Sequence, residues 1–234
     1  MEAAREGKVH PWPDGTRFAK VAWLQQRTPK GLVVPGSFWQ IEMMIKDAKQ
    51  FRATDGWGLA RWRGIDLKPY GKNAAFANEC TGCHLPVRGN DDVYTLPISS
   101  ASVQGQEVLD NAASRLPKGL LVNPLDWAPV TVYSDPQKHT MSVLFVDSKE
   151  IGAGTPVDDG SARALVTWTE RDDPHWFGAR IADKVVSVEI VRPSASNETA
   201  YRMFGGVGVA LVDANATKTA HAASIQGLHP AQIP

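Results

Sequence analysis

Apolar and polar residues alternate with a period of two along several stretches of this chain, and that alternation predicts strands. Residues 17–23 form such a stretch, entered through the turn-forming run Pro13, Asp14, Gly15, Thr16. Residues 37–45 form a second. Phe38, Gln40, Glu42 and Met44 share one face of it, and Trp39, Ile41, Met43 and Ile45 share the other. Residues 59–62 resume as strand after Gly56-Trp57-Gly58. Between strands the pattern predicts short helices over residues 46–52, 72–79 and 104–115, the last with Val108, Leu109 and Ala112 on one side. The chain reads as two units. The units are residues 1–100 and 104–234, joined near the linker-like Ser99, Ser100, Ala101 and Ser102. Residues 221–234 are polar, carry Pro230 and Pro234, and are expected to be loose.

Composition narrows the function classes. With 25 basic and 25 acidic residues the net charge is zero, so nothing points to nucleic acid or an anionic membrane surface. No apolar run reaches the length of a membrane span. The first residues are polar and do not read as a signal peptide.

The most informative motif is Cys80-Thr81-Gly82-Cys83-His84, a C-x-x-C-H. It is the attachment signature of haem c: two thiols add to the vinyl groups and the adjacent His84 binds the iron from one face. Cys80 and Cys83 are the only two cysteines, so no disulfide framework competes for them. A zinc site needs four ligands, and no second Cys or His pair stands at suitable spacing. A thioredoxin-like motif wants a strand before and a helix after, whereas Pro86 follows almost at once. A reduced surface dithiol is the remaining alternative. Because haem c is assembled outside the cytoplasm in bacteria, a periplasmic location is expected, in tension with the polar start of the chain.

Several segments in order resemble the cytochrome P-460 family: residues 12–16 with 18–23, 42–49, 56–62, the C-x-x-C-H at 80–84, Pro86-Val87, and 92–95. The resemblance covers roughly the first hundred residues. It implies a mainly β (α+β) fold, an antiparallel sheet with a few short helices in each of two units, usual homodimerisation, one covalent haem c with His84 as the axial ligand, and an open opposite face. It also implies a lysine joined to a haem meso carbon, which Lys20 matches. Members with that link oxidise hydroxylamine to nitric oxide or nitrous oxide; the related cytochromes c′-β lack it and bind nitric oxide. Glu42 matches the carboxylate that takes protons from hydroxylamine. Arg61 is a candidate contact for a haem propionate.

Each of these residues also has a plainer reading. Lys20 is also what a solvated lysine on a strand edge looks like, and Glu42 and Arg61 also fit outward-facing strand positions. Met43 and Met44 read as core rather than as a sixth iron ligand.

The second half echoes the first. Asp159-Gly160-Ser161 through Trp168 follows the pattern of Asp14-Gly15-Thr16 through Trp23 at a constant offset (168 − 23 = 145). Glu189 stands similarly to Glu42 (189 − 42 = 147), and residues 201–204 answer 60–62. The pattern suggests an internal duplication. Leu165 stands where Lys20 does, and no C-x-x-C-H follows. His139, His175, His221 and His229 read as no ligand set, and His175-Trp176-Phe177 reads as a packed loop. Residues 116–147 look like the family's opening strands yet precede only the second copy, so either the first unit lacks its opening strands at the N-terminus or strands from 128–147 complete the first sheet. The second copy is expected to be structural, an intrachain substitute for a homodimer partner, or a docking surface for a redox partner such as a small cytochrome c. The expected function is that of a periplasmic hydroxylamine-oxidising haem oxidoreductase. The alternatives are a nitric-oxide-binding protein of the c′-β kind and a simple electron-transfer cytochrome c.

Overall fold

A computed structural model describes residue 3 and residues 9–95, 112–147, 161–192, 200–206 and 215–234. Its strands are β1 (Arg17–Arg27), β2 (Val33–Lys46), β3 (Trp57–Arg63), β4 (Lys68–Pro69), β5 (Ala128–Asp135), β6 (Thr140–Val146), β7 (Arg163–Asp172), β8 (Arg180–Arg192) and β9 (Ala200–Gly205). They form one nine-stranded sheet in the order β4-β3-β2-β5-β6-β7-β8-β9, with β1 paired to β2 off that path. Every pairing is antiparallel. Among the described residues, two stretches of α-helix are α1 (Ala77–His84) and α2 (Asn215–Gln226). No helix among the described residues is long and apolar enough to cross a membrane. The mainly β class is as the resemblance implies.

Two triplets of strands have the same construction. In β1–β2–β3, Lys20 lies opposite Glu42, which lies opposite Arg61. In β7–β8–β9, Leu165 lies opposite Glu189, which lies opposite Met203. The irregularities coincide too: β1 slips register at Ala22/Trp23 and Trp23/Gln25, and β7 at Thr167/Trp168 and Trp168/Glu170. Each of these β7 positions follows its β1 counterpart at the same offset (168 − 23 = 145). A bulge adds a residue and a bend that composition alone does not demand, so its repetition at matched positions is specific. The bridge Val33–Ser134 joins β2 to β5 and makes the sheet continuous.

The triplets differ in what covers them. One face of β7–β8 buries Ala164, Val166, Trp168, Val188 and Ile190 against Leu125, Trp127 and Phe145. The opposite face, carrying Leu165 and Val191, packs with Leu144 against Ala222 and Ile225 of α2. On the first triplet, Phe18, Met44 and Leu59 pack with Trp12 and Trp57. Its other face leaves Trp39, Met43 and Ile45 exposed, so Met43 is not the core residue the sequence suggests.

Other expectations need correction. Residues 46–52 are not a helix: a tight turn, with the Asp47 carboxylate accepting from the Lys49 and Gln50 amides, leads to a 3-10 turn at Arg52–Thr54. The helix expected over 72–79 begins as a 3-10 turn at Ala74–Phe76, and α1 itself contains the whole C-x-x-C-H. Of the helix expected over 104–115, Ala112–Ser114 is a 3-10 turn; residues 104–111, the linker at 97–103, and Asp159 and Gly160 lie outside the described residues. The tail is not loose. Helix α2 buries Ala222 and Ile225, the Ala231 amide donates to the Val130 carbonyl, and the Trp23 indole donates to the Gln232 carbonyl. Its apolar residues are too few to register as an amphipathic face by eye, but the sheet supplies the complement.

Candidate haem site

Helix α1 places the chemistry. Residues three and four apart lie on one side of a helix, so Cys80, Cys83 and His84 share a face. The chain reaches α1 through Gly71, whose φ of +99° and close approach to the Phe76 ring (2.7 Å from an added Cβ) exclude a side chain. Asn73 then accepts from the Ala75 amide at 2.9 Å. After α1, Pro86 does not break the helical run. It sits in the first turn of a 3-10 segment, Leu85–Asn90, where its missing N–H is not needed.

The chain then doubles back on α1. Asp91 and Asp92 take left-handed conformations, φ 51° and 62°. The Asp92 carbonyl receives a hydrogen bond from His84 Nδ1 at 2.6 Å. A carbonyl can only accept, so this contact puts the proton on Nδ1 and leaves the Nε2 lone pair free to bind a metal. Tyr94 packs edge-on to the His84 ring at 5.2 Å, and its hydroxyl donates to the Cys83 carbonyl. Burial, then the hydrogen bond to Cys83, pushes the Tyr94 hydroxyl up to about 12, so it remains a donor at neutral pH. Asp91 fastens this turn to the sheet. Its carboxylate accepts from Lys46 Nζ at 2.5 Å and from the Trp12 amide at 2.8 Å, and its carbonyl accepts from the Trp57 indole at 3.0 Å.

Opposite α1 lies the polar patch of β1–β2–β3. Glu42 Oε2 meets Lys20 Nζ at 2.9 Å. Its Oε1 accepts from Arg61 Nη2 and Nε, each at 2.8 Å, and from Gln40 Nε2 at 3.0 Å. This answers why a carboxylate is tolerated there: two cations and an amide converge on it. Burial alone would raise the Glu42 pKa; the hydrogen bond and charge of Lys20, then the charge of Arg61, outweigh it and hold the carboxyl below its ordinary value. Arg61 also reaches Glu79 of α1 at 3.5 Å and lies over the Tyr70 ring. Arg63 stacks on Tyr70 at 3.9 Å and donates to Gln40 Oε1. Burial raises the Cys80 thiol; Cys80 lies on α1, which Arg61 of the patch reaches through Glu79.

The structure thus brings together Lys20, Glu42, Arg61 and Cys80, with Cys83 and His84 on the same short helix. Lys20 is 65% exposed at its side chain, and Cys83 is exposed. Both cysteines are free. Among the described residues no group of three or more His, Cys, Asp or Glu side chains converges to hold a bare ion. Two free thiols flanking a turn of helix, beside a histidine whose Nδ1 is tied and whose Nε2 is available, are the donor set that covalent haem requires. The residues fit the group.

Sequence reasoning did not foresee the Asp92 carbonyl on His84, the Lys46–Asp91 lock, or a role for Tyr94. Lys46 continues the face of Phe38, Gln40, Glu42 and Met44, which was its only signal. The histidines of the second half are not all idle. His221 of α2 lies 2.9 Å from Glu189 Oε2, which also accepts from the Tyr201 hydroxyl at 2.6 Å. Of residues 175–177, Phe177 is fully exposed, whereas Trp176, half exposed, packs on the Tyr94 ring.

The family model described as Cytochrome P460 matches residues 1–95, the stretch that holds this site. That family implies a haem cofactor, which the donor set of α1 suits. No curated protein matches the chain.

Proposed function

We propose that this chain is a periplasmic protein carrying one haem c on Cys80 and Cys83, ligated by His84, that oxidises hydroxylamine to nitric oxide or nitrous oxide. The observation that carries the reading is Glu42, held by Lys20 and Arg61 on the sheet face that α1 overlooks, Arg61 reaching Glu79 of that helix. When bound, the haem supplies an iron that takes electrons from substrate and passes them to a redox partner such as a small cytochrome c. The chain's own residues do the rest. His84 is oriented by Asp92, and Tyr94 buttresses its ring. Glu42 is ionised at neutral pH because its pKa is lowered, so it can receive protons from the substrate. Arg61 neutralises Glu42 and steadies α1 through Glu79. Lys20 is the residue placed to be joined to the haem.

The β7–β8–β9 triplet acts as a built-in partner. It shares the register and bulges of β1–β2–β3 but presents α2 where the first presents α1. This fits an internal duplication whose second copy, residues 104–234, gave up haem.

Hydroxylamine turnover by the haem-loaded chain tests the reading. Glu42→Gln at equal haem content should cut the rate by about 100-fold or more, the range for removing a general base. An unchanged rate would remove Glu42 from the mechanism. One observation favours a second reading. Lys20 is largely exposed and already partnered by the Glu42 carboxylate, an arrangement that stands without any link. If it stays unlinked, a nitric-oxide-binding protein of the c′-β kind follows, recognised by reversible nitric oxide binding without turnover.

A further inference from the structure

Trp176 lies in the loop between β7 and β8, far in sequence from α1. The loop is closed by its own bonds. The Asp173 amide donates to the Ala179 carbonyl, the Ala179 amide to the Trp176 carbonyl, and the His175 amide to the Asp173 carboxylate at 2.8 Å. Gly178, φ +80°, completes the turn. The double register slip around Trp168 bends the hairpin that carries it. Its tip meets the β1–β2–β3 side of the molecule at two residues of the candidate site. The Trp176 ring lies 5.3 Å from the Tyr94 ring, and Lys20 Nζ sits 5.7 Å over the Trp176 ring. Tyr94 in turn touches His84 and Cys83.

We propose that the haem site is composite: Trp176, donated by the second triplet, is a positioning residue that holds Lys20 and walls the site on the side of Tyr94. The inference rests on the reading that Lys20 is joined to the haem. Lys20 is long, lies on β1, and is two-thirds exposed; without a second restraint its amine would sweep solvent. Glu42 fixes one side of the ammonium and the indole face fixes the other. Only the ring offers this: an aliphatic side chain of similar bulk has no quadrupole to attract a cation. The ammonium first gives a proton to the Glu42 carboxylate that it touches; joining the resulting amine to a ring carbon then forms one N–C bond and breaks one N–H and one C–H. The two electrons and two protons released need an oxidant, and a peroxide, reduced to water, is the class that takes them. A lysine held in one place favours that bond over competing fates.

The test compares Trp176→Phe, which keeps an aromatic face, with Trp176→Leu, which keeps apolar bulk alone. Each is expressed with haem attached, and peptide mass mapping reads the fraction of Lys20 carrying haem. The expected result is a linked Lys20 peptide in the unchanged chain and in W176F, lost in W176L, with haem still on Cys80 and Cys83 in all three. A link that persists in W176L overturns the proposal. Should the unchanged chain carry haem but no link, the Lys20 reading fails by itself. The wall is then judged by the rate at which carbon monoxide binds ferrous haem. A faster rate in W176L retains Trp176 as part of the site, and an equal rate overturns that as well.

Discussion

Glu42 shows how a single side chain can be tied to both stability and function. Its folded pKa is lowered, so the stabilisation it contributes is full above the ordinary carboxylate value and is lost as pH falls through the lower folded one. Glu42→Gln cannot titrate, so its stability should decline less steeply with acid just below the ordinary carboxylate range. Chemical denaturation of both proteins across that window checks this; identical slopes would mean that Lys20 and Arg61 do not hold the carboxylate in solution. The alternation on β2 correctly put Glu42 on the face of Phe38 and Gln40. It could not show that Arg61 faces it, because cross-strand partners depend on register, which turns and bulges set. Nor could it show that the opposite, more apolar face of β2 is the exposed one.

Helix α1 is short and uncapped by any side chain, so its place depends on what grips the segment after it. The grip is the Lys46–Asp91 pair, with Lys46 only 5% exposed. Lys46 Nζ also donates to the Asp55 carbonyl and lies 4.8 Å from the Trp57 ring. Removing one partner of a buried pair strands the other, so Asp91→Ala should cost about 3–5 kcal/mol. It should also free the turn that presents the Asp92 carbonyl to His84. Urea denaturation measures the first; a change in the axial-ligand signature of the loaded protein reads the second. A loss within about 0.5 kcal/mol would put the pair among those that solvent screens. The C-x-x-C-H was plain in the sequence because its five residues are contiguous. The lock was not, since Lys46 and Asp91 are charged residues distant in sequence, and their burial comes only from packing around Trp12 and Trp57.

Across the molecule, the two triplets make one sheet but are not equals. The face that meets α1 in the first meets α2 in the second, where Leu165 replaces Lys20 and Glu189 is satisfied by Tyr201 and His221. The tail beyond α2 reaches back to Trp23 of β1, while the β7–β8 loop reaches Tyr94, so each half touches the other's helix-bearing side. Ile225, 2% exposed, anchors α2. Ile225→Ala should destabilise the chain by about 2–5 kcal/mol, the range for emptying a well-packed site, measured by thermal denaturation. A negligible change would mean that α2 is not part of the cooperative fold. The echo at residues 159–168 made the second triplet legible. The helix that covers it was not, because a run rich in Ala, Thr and Ser with few apolar residues reads as polar tail.

The central claim is that Lys20, Glu42 and α1 form a site for a lysine-modified haem c. The most direct measurement is the ferrous absorption spectrum of the haem-loaded chain, with intact mass alongside, in the unchanged protein and in Lys20→Leu. The account predicts covalent haem in both, and a band near roughly 460 nm, the wavelength in the family's name, that is present in the unchanged chain and absent from the variant. An ordinary c-type spectrum in the unchanged chain, with haem mass present, would contradict it.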